Sequence, residues 1–83
     1  MAEIKTGSVV YSRAGHDKGN IFVVVRLEGD FAYIADGRQR KLESPKKKRI
    51  KHLQITNTSL DMTKITTDKE LRRIFSAKAL SAR

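Results

Sequence analysis

The chain has no cysteine and no tryptophan, one proline, and five aromatic residues among 83. Without cysteine there are no disulfides and no thiolate metal ligands, which fits a reducing compartment. With so few aromatics, the core has to be assembled mainly from Val, Ile and Leu. No apolar run approaches the length of a membrane span; Ile21 to Val25 is far too short. Met1-Ala2-Glu3-Ile4-Lys5 lacks the apolar stretch of a secretory signal. A soluble, cytoplasmic protein with no membrane partner is therefore expected. The length supports one small domain with one modest core, which leaves little scaffold for a deep substrate pocket. Catalytic and metal-binding spacings such as HxxxH and HExxH are missing, as are the glycine-rich loops of nucleotide-binding proteins. His16 and His52 lie far apart in sequence. No cofactor, metal or small-molecule substrate is expected, and the chain reads as non-enzymatic.

What the chain does have is positive charge, a formal net of +9. The charge is concentrated. Residues 1–37 carry four basic and five acidic side chains, residues 38–52 eight and one, and residues 53–83 six and three. A surplus serving only solubility would be spread evenly; a block of this kind suits a surface that meets a polyanion.

Short β-prone segments alternate with turn signals along the first two thirds. Val9 to Ser12 is the first, followed by a polar loop with glycines at 15 and 19. Ile21 to Leu27, with three consecutive valines, is the strongest strand candidate. Glu28-Gly29-Asp30 turns the chain into Phe31 to Ala35. Asp36-Gly37 suits a two-residue hairpin turn, which predicts that Arg38 to Glu43 returns antiparallel until Ser44-Pro45 breaks it. Ile50 to Thr56 would be the last strand. Five short strands in about fifty residues predict a small closed or half-closed barrel, which limits exposed edges. Residues 57–66 read as a polar connector. In Thr67-Asp68-Lys69-Glu70 a capping box opens a helix over 67–83, with Leu71, Ile74 and Phe75 on one face and Lys69, Arg72 and Arg73 mostly on the other. A helix this short has to dock to be stable.

One resemblance gathers these segments. Gly7-x-Val9-Val10, then Ala14-Gly15-His16-Asp17-Lys18-Gly19, then Val23-Val24-Val25, resembles the KOW motif of ribosomal proteins and some transcription elongation factors. Phe22 stands where the elongation-factor type often has a second glycine. The pattern is more similar to archaeal and eukaryotic large-subunit ribosomal proteins, and above all to short bacterial KOW-domain proteins described as RNA-binding or ribosomal-protein-like. Ile34-Ala35-Asp36-Gly37 followed by Arg38 resembles their strand–turn segment. The likeness covers about residues 7–55. It implies an all-β, SH3-like barrel of about five strands over residues 1–56, here followed by the C-terminal helix. It also implies that His16, Lys18 and the basic strand touch RNA.

The residues themselves point the same way. His16 and Lys18 are phosphate donors on a glycine-flanked loop. Arg38, Arg40 and Lys41, then Lys46, Lys47, Lys48, Arg49 and Lys51, supply the cations that neutralise phosphates and release counterions. Four consecutive cations repel one another, so a purely structural role for Lys46 to Arg49 would cost stability without return. Pro45 to Lys51 also resembles a nuclear import signal, but it leads straight into a predicted core strand. Phe31 and Tyr33 alternate onto one face and, with Tyr11, are candidates for base stacking, although aromatics in so small a domain more often fill the core. The expected function is non-catalytic binding of structured RNA, ribosomal RNA above all, by a protein that is monomeric when free. The rivals are a transcription-associated module that binds DNA or RNA polymerase, and a protein-interaction module using Arg72 and Arg73 on the helix.

Overall fold

A computed structural model describes residues 3–78. Five antiparallel strands are followed by one helix. The strands are β1 (Ser8–Ser12), β2 (Ile21–Glu28), β3 (Phe31–Ala35), β4 (Lys46–Arg49) and β5 (Leu53–Ser59). They form a single sheet in the order β4-β3-β2-β1-β5. The helix, α1, runs over Asp68–Lys78. The part of the predicted helix from 79 to 83 lies outside the described residues.

The sheet is strongly curled, and chain length alone requires it. β4 and β5 are its two edges, yet only a three-residue 3₁₀ turn, Ile50–His52, joins them. In a flat sheet the outer strands would stand about 19 Å apart, four spacings of about 4.8 Å. The four steps from Arg49 to Leu53 can span at most about 14 Å. The curl makes an inner face lined by Val10, Phe22, Val24, Ala32, Ile34 and Leu53, all buried.

A second cluster sits on the outer face, where Val23 and Ala35 pack with Leu71 of α1 and with Ile65. This explains the unbroken apolar run in β2. Phe22 and Val24 face the interior while Val23 faces the helix, so both sides of the strand are buried. The capping box forms as the sequence suggests: the Thr67 hydroxyl accepts from the Glu70 amide at 3.1 Å, and Glu70 Oε1 accepts from the Thr67 amide at 3.2 Å.

Three expectations need correction. Arg38 to Glu43 is not a strand, and Asp36-Gly37 is not a hairpin turn. Asp36 Oδ1 accepts from the amides of Arg38 and Arg40, and the Asp36 and Gly37 amides donate to the Arg40 carbonyl. The Leu42 amide donates to Asp68 Oδ1 at the start of α1. These amides are spent on the loop and the helix rather than on a ladder, and the segment has only Leu42 to bury. The fourth strand is instead the lysine run after Pro45, with Ile34 opposite Lys46 and Phe31 opposite Arg49. The last strand begins at Leu53, after the 3₁₀ turn, and continues to Ser59, inside the predicted connector. The rest of that connector contributes buried Ile65 to the second core.

Candidate nucleic-acid interface

The strand directions place two basic loops at one end of the sheet. Val23 of β2 stands opposite Ala35 of β3, so the chain entering β2 and the chain leaving β3 emerge together. The β1–β2 loop, residues 13–20, carries exposed Arg13, His16 and Lys18. The β3–β4 loop, residues 36–45, carries exposed Arg38 and Lys41, with Arg40 half-buried. Asn20 from the first, Ile21 at the start of β2, and Asp36, Arg38 and Gln39 from the second line one cleft of about 270 Å³, with Phe75 of α1 as its wall.

Asp17 anchors this end. Its carboxylate is buried and accepts from Lys48 Nζ at 2.7 Å, Ser12 Oγ at 2.8 Å and Lys46 Nζ at 3.2 Å. Lys48 Nζ also donates to the Ala14 carbonyl at 2.8 Å. The β1–β2 loop is thereby tied across the interior to β4, a neighbour that the strand order alone would not supply. Burial by itself would raise the Asp17 carboxyl. The bonds from Lys48, Ser12 and Lys46 outweigh burial and hold the group well below the usual carboxylate range. Within the loop, Gly19 has φ +89 and open space where a side chain would be, so its backbone can be approached closely.

The lysine run therefore splits by strand alternation. Lys46 and Lys48 face inward to Asp17, and Lys48 is 9% exposed. Lys48 is not available to a ligand, which corrects its place among the expected RNA contacts. Lys47 and Arg49 face outward and are exposed. Nor is the run without structural return, as charge repulsion alone suggested. Two of its cations share one carboxylate, and the other two lie over the ring of Phe31, at 4.5 and 5.1 Å from its centroid. Lys51 is exposed beyond the far end of β4, away from the two loops.

Sequence reasoning also missed residues. Arg13 adjoins the glycine loop and was legible as charge. Arg72 does not point freely outward: its Nη1 donates to the Gly37 carbonyl at 2.7 Å, which holds the basic loop against the helix. Only the packing of α1 reveals that. Among the described residues no three His, Asp or Glu side chains converge as metal ligands would, and no helix is long and apolar enough to cross a membrane. No protein-family model matches the chain, and no curated protein matches it.

Proposed function

We propose that this chain is a non-catalytic RNA-binding protein on an SH3-like barrel, and that it acts with the ribosome by holding structured ribosomal RNA at the loop end of the sheet. The observation that carries this reading is the convergence of the two basic loops. Residues 13–20 and 36–45 are separate in sequence, yet they share one end of the fold and one cleft. Arg13, His16, Lys18, Arg38 and Lys41 are exposed there, with Arg40 and Lys46 half-buried behind them. Such a surface contacts phosphates and the shape of a folded RNA rather than reading a base code. The curled five-stranded sheet agrees with the barrel that the KOW resemblance implies.

Two experiments test this. Lysate sedimented at low salt should carry the protein with the ribosomes, and raised salt or nuclease should release it. A protein that stays at the top of the gradient throughout is not ribosome-associated. Replacing Lys18, Arg38 and Lys41 together by Ala should weaken binding to a structured ribosomal RNA fragment without changing the melting temperature. Replacing Lys46 to Arg49 together would be a poor test, because it also strips Asp17 of its partners. For the protein-interaction reading, Arg72 is engaged by the Gly37 carbonyl while Arg73 stays exposed.

A further inference from the structure

A second cationic surface lies on the outer face of β2, β3 and β4, and it is built around aromatic rings. In β3, Ala32 and Ile34 face the interior, while Phe31 and Tyr33 face outward and are half-buried. The helix cluster takes in Val23, Val25 and Ala35 on this side; Phe31 and Tyr33 lie beyond it.

Cations reach the two rings from both neighbouring strands. On β4, Lys47 pairs with Tyr33 and Arg49 with Phe31, and both charges lie over the Phe31 ring. On β2 the register shifts between Val24 and Arg26, so that Arg26 pairs with Tyr33 and its guanidinium lies 4.1 Å from that ring centroid. Strict alternation would have turned Arg26 inward with Val24. The bulge re-aims it onto the aromatic face, a use of bulges that recurs next to functional sites. Glu28, which stands opposite Phe31, accepts from the Tyr33 hydroxyl at 2.7 Å, and Asp30 lines a cleft with Arg49. Among the described residues, none of the three cations has a carboxylate at salt-bridge distance.

The chemistry that fits is a flat ring joined to a negative charge. Phosphate alone needs no aromatic, and the Asp and Glu side chains of an acidic peptide supply no ring, whereas every nucleotide carries a ring and a charge together. A guanidinium stacked on Tyr33 can present its other plane to solvent, and a nucleobase stacks on such a plane as on a ring. We propose that this face is a stacking platform for unpaired nucleobases, with Arg26 on Tyr33 as the stack, and Lys47 and Arg49, held over Phe31, taking the flanking phosphates. The platform rests on the RNA-binding reading and deepens it: the loops hold folded RNA, and the sheet takes a single-stranded segment of it.

The test uses the full chain and a short oligoadenylate carrying one 2-aminopurine, beside an abasic strand of equal length. The base-bearing strand should bind about tenfold more tightly than the abasic one, with quenched 2-aminopurine fluorescence. Arg26→Lys keeps the charge but loses the plane, so it should lower affinity for the base-bearing strand and leave the abasic strand unaffected. Tyr33→Phe should keep the quenching and Tyr33→Leu should lose it. Arg26 is exposed, so its variant should fold normally and decides the matter if Tyr33→Leu does not. Equal affinity for the two strands, or quenching that survives Arg26→Lys and Arg26→Ala, overturns the platform. So does polyglutamate that displaces the oligonucleotide at equal affinity without any quenching, which would point to an acidic protein partner. A structured RNA that still binds in that case leaves the loop surface standing; failure of every RNA to bind sinks both readings.

Discussion

Asp17 is the residue on which the candidate interface depends, although it carries the wrong sign to touch RNA. Within the β1–β2 loop it is buried, with Lys48, also buried, as its closest partner. Removing one member of such a pair strands the other charge in the interior. Asp17→Ala should therefore destabilise the domain by about 3 kcal/mol, a large share of the total for so small a protein, measured by urea unfolding. Lys46→Ala, at the half-buried partner, should cost much less. The pH dependence has a definite sign. The folded Asp17 carboxyl lies below its unfolded value, so its contribution is fully present above the unfolded pKa, roughly 3.9. That contribution is lost as pH falls through this value toward the folded one. Melting temperature should accordingly drop below about pH 4, and Asp17→Asn should flatten that acid limb. An acid limb unchanged in the Asn variant would mean that other carboxylates govern it.

At the scale of elements, helix α1 acts as a clamp on the basic loop. Gly37 has φ +80, and a side chain there would meet the Asp68 carbonyl at 2.7 Å. Asp68 and Arg72 hold the same loop by hydrogen bonds to Leu42 and Gly37. The left-handed backbone alone costs a non-glycine residue roughly 1–2 kcal/mol, and the clash adds to it. Gly37→Ala should push the helix off the loop: the Leu42 amide should exchange faster and stability should fall, while the inner core exchanges as before. Arg72→Ala should produce a milder version of the same pattern. If Arg72 instead served a protein partner, its loss would leave Leu42 exchange unchanged.

For the whole molecule, the proposed RNA binding predicts a salt response set by the distribution of charge over two faces. Each phosphate neutralised contributes a slope of roughly −0.7 to −0.9 in log K against log salt. Arg38→Ala and Lys41→Ala should each reduce that slope by about 1 for a structured RNA. Lys48→Ala should leave the slope nearly unchanged while lowering stability, because its charge is already spent on Asp17 and the Ala14 carbonyl. A Lys48 variant that reduces the slope as much as Lys41→Ala would refute the inward assignment of this side chain.

The sequence alone determined the strand-rich class, three of the five strands closely, the capped helix and the concentration of charge. These rest on local physics: runs of β-branched residues, turn glycines, a capping box and simple counting. It could not decide which cations are available. Lys46, Lys47, Lys48 and Arg49 look alike in sequence, and only β4 pairing with β3 turns two inward to Asp17 and two outward to Phe31. Nor could it place the fourth strand, because the amides of Arg38 and Arg40 are claimed by Asp36 and that of Leu42 by a helix residue 26 positions further on. The Arg26 bulge is of the same kind, since its register is set by the partner strand. Local propensity is written residue by residue, whereas ion-pair partners, register and exposure exist only once the sheet has curled and brought distant residues together.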